Sequence, residues 1–166
     1  MTSLTDEILQ DWAANRPDLR GRIVMVAFRA AHVASRHRKG VLSLPAALAG
    51  VIYRLTVEWV LGIEIPWKTS IGPGARLRHG VGLVINDSTV IGSGVMLRHG
   101  VTLGNVGRGG DCPVIGDDVE IGSGAVILGG VMIGDRARIG ANAVVTKNVP
   151  AGGVAVGNPA RLLEPR

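Results

Sequence analysis

From residue 63 onward, aliphatic side chains recur at every sixth position, a spacing that excludes a long amphipathic helix with its period of 3.6 residues. Small or β-branched residues stand two positions before most of them, and glycine often follows directly, as in Ile71-Gly72 and Ile121-Gly122. The aliphatic positions are Ile65, Ile71, Leu77, Ile85, Ile91, Leu97, Leu103, Ile115, Ile121, Ile127, Ile133, Ile139 and Val145. Each hexad therefore predicts a short strand with an inward aliphatic side chain and then a tight turn.

Three such sides close a triangular coil of three hexads, and stacked coils bury a column of Ile, Val and Leu. A single hexad buries nothing alone, so stability comes from stacking. The fold class predicted is mainly β: a solenoid of parallel strands that follows an α-helical segment. General chirality rules favour right-handed crossovers between parallel strands, and the spacing itself does not set the hand.

Two interruptions break the period. The step from Leu77 to Ile85 is eight residues, so two residues are inserted just after His79. Between Leu103 and Ile115 the pattern lapses altogether, and residues 104–114 cannot fill an inward aliphatic position. We expect this segment to project as a loop, and loops on a rigid scaffold commonly build binding sites.

A short motif is duplicated across the first interruption: Leu77-Arg78-His79-Gly80-Val81 returns as Leu97-Arg98-His99-Gly100-Val101. The separation equals one coil plus the two inserted residues. His79 and His99 are therefore predicted at one corner, one strand spacing or about 4.8 Å apart in the backbone. Such a pair could be a base with its helper, two substrate contacts, part of a metal site, or two solvated turn histidines.

Residues 1–62 are predicted to be helical, with a domain boundary before residue 63. Thr5 is expected to cap the first helix, Pro17-Asp18 to open the second, and Pro45 to start a third that ends at Gly62. The basic run in residues 36–39 is typical of a solvated helix end. Contact with an anionic lipid surface is the alternative for that run.

Composition narrows the function classes. The net charge of +5 favours anionic partners, but residues beyond the helices show no run of five like charges or interleaved aromatics, so we expect no nucleic acid. The single Cys112 excludes an internal disulfide and a Cys-rich zinc site. No signal peptide pattern is found, and Arg54 and Glu58 interrupt the most apolar stretch. We expect a cytoplasmic protein, with the inner face of the membrane as one location.

About 100 residues resemble the hexapeptide-repeat acyltransferases, in the serine acetyltransferase-like branch and close to its colanic-acid (exopolysaccharide) acetyltransferases. The matching stretches are Ile71-Gly72-Pro73-Gly74, Leu77-Arg78-His79-Gly80, Val101-Thr102-Leu103-Gly104-Asn105, Gly109-Gly110-Asp111, Ile121-Gly122-Ser123-Gly124-Ala125 and Gly157-Asn158-Pro159-Ala160-Arg161. The resemblance implies a left-handed parallel β-helix, homotrimers, and acetyl-CoA in a cleft between subunits. A larger assembly through the helices is a further expectation.

The resemblance also implies roles for residues. His79 is expected to be the general base and Glu64 the carboxylate that orients it, with Arg78 and His99 contacting the acceptor. The expected acetyl-CoA contacts are Gly104 and Asn105 beside the pantetheine arm, Ser123 and Ala141 at small corner positions, and Lys147 and Arg161 at the phosphates. No metal is expected to be required.

Departures from the serine-specific pattern favour a sugar hydroxyl over serine as acceptor. Arg78 stands where that pattern has aspartate, and Cys112 alone stands where it has an Arg-His pair. Serine O-acetylation is the alternative activity. A zinc enzyme like the γ-type carbonic anhydrases needs a third histidine that the repeat region does not offer. A non-catalytic β-helix is the remaining alternative.

Overall fold

The computed structural model describes residues 3–36 and 43–163. The helical segment comprises α1 (Leu4–Leu9), α2 (Leu19–Arg36) and α3 (Ser43–Tyr53), and α3 continues as a π-helical segment, Arg54–Val60. The prediction that Thr5 caps α1 is wrong, because the Ser3 hydroxyl accepts from the Asp6 N–H at 3.1 Å. The Asp6 carboxylate accepts from the Ser3 N–H in return, which satisfies two free amides together. Residues 37–39 of the basic run lie outside the described residues.

Short strands follow from Ile63 onward. They are β1 (Ile63–Glu64), β2 (Ser70–Ile71), β3 (Arg76–Arg78), β4 (Leu83–Ile85), β5 (Val90–Ile91), β6 (Met96–Arg98), β7 (Thr102–Gly104), β8 (Val114–Ile115), β9 (Glu120–Ile121), β10 (Val126–Leu128), β11 (Met132–Ile133), β12 (Arg138–Ile139), β13 (Val144–Val145), β14 (Val154–Val156) and β15 (Arg161–Leu162).

Up to β13, every third strand joins the same sheet, and β14 and β15 extend the sheet of β12, so three sheets form the three sides of a prism. Their orders are β1-β4-β7-β10-β13, β2-β5-β8-β11 and β3-β6-β9-β12-β14-β15. Pairing is parallel throughout except for β14 with β15. The register places Ile127 beside Leu103 on one side and Val145 on the other.

The predicted inward positions are buried, which confirms the solenoid. Side chains such as Leu103, Ile115, Ile121, Ile127 and Ile133 have at most 2% of their surface exposed. A two-residue strand cannot hold itself in place, so each depends on the coil above and below for its hydrogen bonds and its apolar contacts.

A row of polar contacts joins the helical segment to the first coil. The buried Arg29 guanidinium pairs with Asp11 at 2.7 Å and also donates to the carbonyls of Ile71 and Gly72. Asn15 donates to the Ala75 carbonyl and accepts from the Leu77 N–H, both at 2.8 Å. These side chains satisfy backbone groups of the first coil that would otherwise be buried without a partner.

The outward side of α3 and the π-helical segment is apolar. Its exposed large side chains are Leu44, Leu48, Val51, Ile52, Leu55, Trp59 and Val60. The Arg54–Glu58 ion pair, between residues four positions apart, lies on the same segment at 3.3 Å. In the described part of the chain, no helix is both long and apolar enough to cross a bilayer.

Candidate active site

The two repeated histidines share one corner of the prism. His79 directly follows β3 and His99 directly follows β6, and these strands pair in register from Arg76–Met96 to Arg78–Arg98. The ring centroids lie 6.1 Å apart with the planes inclined by 65°. Both side chains are exposed at the surface of the chain. The predicted proximity of His79 and His99 is therefore confirmed.

The same column of corners contains two of the small residues expected near the cofactor. Ser123 is in the next coil, where the Gly124 N–H donates to the His99 carbonyl at 2.9 Å. The Ser123 hydroxyl lies 3.5 Å from His99 Nδ1. Ala141 follows β12 in the coil after that, and its neighbour Asn142 donates to the Ser123 carbonyl. His79, His99, Ser123 and Ala141 thus form a continuous line along one edge.

Glu64 lies on the outer face of β1, opposite Val84 of β4, and is exposed. Within residues 3–36 and 43–163, no hydrogen bond or ion pair joins the Glu64 carboxylate to His79 or to another residue. The orienting role of Glu64 therefore stays a prediction.

Asp18 is a carboxylate that contacts the His79 backbone, and no pattern in the sequence predicts this contact. Its Oδ2 accepts from the His79 backbone N–H at 3.3 Å, and its Oδ1 accepts from the Gly21 N–H at 3.0 Å, in the first turn of α2. The pKa of Asp18 lies below its usual value because backbone N–H groups donate to it, Gly21 foremost; His79 adds a second donor and its charge. Pro17-Asp18 predicts a helix cap, but not a contact 61 residues away.

Arg78 binds the helical segment. Its Nη2 donates to the carbonyl oxygens of Arg16 at 3.2 Å and Ala14 at 3.4 Å. Its Nη1 is buried and has no partner. The guanidinium that replaces an aspartate of the serine-specific pattern thus joins the chain next to His79 to the loop before Asp18. Its predicted contact with an acceptor is untested.

The segment between β7 and β8 contains no strand or helix, and it lies where the period of six lapses. Gly104 ends β7, and Asn105 opens the loop, with its amide donating to the Gly107 carbonyl at 2.8 Å. The loop forms one wall of a cavity of about 560 Å³ against the side of the prism. Its lining includes Ser88, Asp111, Cys112 and Met132.

Lys147 and Arg161 meet at another place, the C-terminal end of the prism. Lys147 follows β13 and Arg161 begins β15, and both line a cavity of about 220 Å³ together with Asn148 and Thr146. The structure thus brings the two predicted phosphate contacts together, in a different corner from the histidines. Two cations on one cavity suit a phosphate-bearing ligand.

No group of three or more His, Cys, Asp or Glu side chains that could hold a metal ion occurs within residues 3–36 and 43–163. The Asp18 carboxylate contacts the His79 backbone, but it does not form such a group with His79 and His99. A site of three protein ligands of the catalytic zinc type would need one.

Comparison with known proteins shows the class of protein to which this chain belongs. Residues 112–147 match the family model described as bacterial transferase hexapeptide (six repeats). Soybean serine acetyltransferase complexed with serine superimposes with a TM-score of 0.81 and 35% identity, covering 97% of this chain and 70% of that chain. A serine acetyltransferase in complex with CoA gives 0.82 and 29%, with the same coverages. The fold is a left-handed parallel β-helix of hexapeptide repeats with N-terminal helices.

Among curated relatives, the colanic acid biosynthesis acetyltransferase WcaB of Escherichia coli K12 is 41% identical over 111 residues. The match covers 64% of this chain and 67% of WcaB. The chain therefore belongs to the hexapeptide-repeat acetyltransferases, in the serine acetyltransferase-like branch, and is an acyltransferase.

Proposed function

We propose that this protein transfers the acetyl group of acetyl-CoA to a hydroxyl of a sugar or glycan, in the manner of exopolysaccharide biosynthesis. The observation that carries the proposal is the pair of exposed imidazoles, 6.1 Å apart, on one corner of a hexapeptide-repeat acetyltransferase. Similarity to WcaB supports the acceptor class, and the CoA complex of a serine acetyltransferase supports the donor.

In this mechanism His79 acts as the general base. Its neutral imidazole takes the proton of the acceptor hydroxyl while the oxygen attacks the thioester carbonyl carbon. The tetrahedral intermediate collapses, the C–S bond breaks, and the CoA sulfur leaves as a thiol after receiving the proton from the imidazolium. A positioned base of this kind contributes about 10²–10⁴-fold to the rate. His99, one coil further along, contacts the acceptor.

Acetyl-CoA needs contacts for a thioester arm and for three phosphate groups. Gly104 and Asn105, where the loop leaves the prism, suit the pantetheine arm, and Ser123 and Ala141 are small enough to leave it room. Lys147 and Arg161, on their shared cavity, suit the phosphates. In this proposal the cofactor lies between two subunits of a homotrimer. The residues for the pantetheine arm and those for the phosphates lie at different corners of one chain. In the trimer, a neighbouring subunit would therefore complete the site.

Serine is the alternative acceptor, favoured by the superposition on soybean serine acetyltransferase complexed with serine. The engagement of Arg78 with the Ala14 and Arg16 carbonyls argues for a sugar. A guanidinium held there does not reproduce the carboxylate of the serine-specific pattern. Cys112, which stands where that pattern has an Arg-His pair, cannot hold a carboxylate with a charged donor.

The test is thiol release from acetyl-CoA with a panel of serine, nucleotide sugars and oligosaccharides. We expect turnover with a saccharide, a loss of more than about 100-fold in kcat for His79→Ala, and mainly a raised acceptor KM for His99→Ala. The two variants are matched controls, because both remove an exposed imidazole from the same corner. Turnover with serine alone would overturn the sugar acceptor. Full activity of His79→Ala, with His99→Ala inactive, would mean that His99 is the base and His79 contacts the acceptor.

For the assembly and location we propose a homotrimer in the cytoplasm, with larger assembly or contact at the inner face of the membrane through the helical segment. The exposed apolar side of α3 and the π-helical segment supports a covered face. Contiguous apolar patches of this kind are uncommon on monomeric soluble proteins.

A further inference from the structure

The segment before α2 lies along β3 and ends at the proposed base. Asp11 accepts from the Ala75 N–H at 3.0 Å, and Asn15 accepts from the Leu77 N–H at 2.8 Å. At the end of this row, Asp18 accepts from the His79 N–H. Contacts therefore alternate along the strand and bring a carboxylate to the corner that holds the histidine.

This row is rigid where it begins. Asp11 and Asn15 expose 1% and 0% of their surface, and Arg29 fixes Asp11 from the other side. Arg78 adds a clamp nearer the corner through the Arg16 carbonyl. Asp18 is also held by the first turn of α2, so its carboxylate has little freedom to move away from His79.

His79 itself has an unusual backbone. Its φ of 67° is in the left-handed region, which costs a non-glycine residue free energy and needs support from its surroundings. The His99 corner, in the following coil, has no equivalent carboxylate contact to its backbone N–H among the described residues, and His99 has no positive φ. The two histidines of the repeated motif therefore differ in how they are held.

We propose that Asp18 is a positioning residue for His79, and this inference rests on the proposed function of His79 as base. The carboxylate accepts from the His79 backbone N–H and so holds the backbone of the corner from which the imidazole projects. Its negative charge also stabilises the imidazolium that forms when the hydroxyl proton is taken. The lowered pKa of Asp18, to which the charge of His79 contributes, agrees with the two groups lying within electrostatic range.

Asp18→Asn separates the catalytic role from helix capping, because asparagine caps a helix about as well as aspartate. We expect kcat to fall about 10- to 100-fold, with unchanged KM values for acceptor and acetyl-CoA and an unchanged thermal midpoint. Asp18→Ala should lower kcat at least as far and also lower the thermal midpoint. The matched control is Asp6→Asn, which alters a carboxylate that accepts a backbone N–H at the start of α1. It should leave kcat unchanged.

Glu64→Gln provides the contrast. If Asp18→Asn stays within twofold of the parent while Glu64→Gln loses 100-fold, Glu64 is the partner of His79 and the inference is wrong. A fall in kcat of Asp18→Asn matched by an equal loss of folded protein also overturns it. Failure of the proposed function is distinguishable, because it requires His79→Ala itself to remain active.

Discussion

The prism and the helical segment bury apolar surface in opposite ways. In the prism, the inward aliphatic position of the hexad recurs in every coil. Leu103, Ile127 and Val145 are therefore neighbours in register and meet the same requirement. In the helical segment, each contact occurs once, and the buried Asp11–Arg29 pair has no second copy among residues 3–36 and 43–163. A change in one coil therefore affects mainly the coils next to it, whereas the helical segment depends on single contacts. It is this segment that contacts His79.

The largest effect should come from Arg29→Ala, which breaks the junction between the two regions. Asp11 is left charged and buried, and the carbonyls of Ile71 and Gly72 lose a donor. Removing one partner of a buried pair costs about 3–5 kcal/mol. Urea unfolding followed by circular dichroism measures it. Arg36→Ala is the control, because its pair with Glu7 is at the surface, where such pairs contribute about 0–1 kcal/mol. Equal costs for both variants would contradict the distinction.

A smaller loss is expected from Ile127→Ala within the prism. Ile127 has no exposed surface and contacts the column above and below, and truncation of this kind costs about 2–5 kcal/mol. The value should fall in the lower half of that range, because a stack of coils can shift to fill part of the cavity. Val90→Ala, at a 45% exposed position of β5, is the matched control and should cost well under about 1 kcal/mol. A larger loss of unfolding free energy for Val90→Ala would show that outward side chains also stabilise the stack of coils.

The smallest effect concerns Tyr53, whose hydroxyl donates to the Ile65 carbonyl at 2.7 Å across the boundary between the regions. Burial, with the charge of Glu58, raises the pKa of Tyr53. Its contribution is full below the unfolded pKa of about 10. Above that pH, the unfolded chain releases a proton that the folded chain keeps, so stability falls by about 1.4 kcal/mol per pH unit.

Tyr53→Phe should cost about 1 kcal/mol at pH 7, for the lost hydrogen bond, and should reduce the slope above pH 10. Thermal midpoints at pH 7, 9, 10 and 11 measure both. An unchanged slope in the variant would mean that other groups govern alkaline unfolding. No other tyrosine contributes to the slope, because Tyr53 is the single tyrosine of the sequence.

The sequence predicts the prism well because each coil repeats the same physical requirement. Ile127 and Leu103 can be identified as buried from their spacing, and the 20-residue separation brings His79 to His99. The contacts of the helical segment cannot be predicted from spacing in this way. Ser3 and Thr5 both satisfy the rule for a helix cap, and only the geometry of α1 selects Ser3. The contact of Asp18 with His79 joins residues 61 positions apart, and no periodicity relates them.

The closure of the first coil by Asp11, Asn15 and Arg29 also has a consequence for solubility. A stack of parallel strands ends in unpaired amides and carbonyls, and such a surface can add another chain end to end. In this protein, side chains of the helical segment bind such backbone groups. Asn15 binds the Ala75 carbonyl and the Leu77 N–H, and Arg29 binds the Ile71 carbonyl. Asp11, Asn15 and Arg29 therefore leave fewer free backbone groups to which another chain could add at that end of the prism.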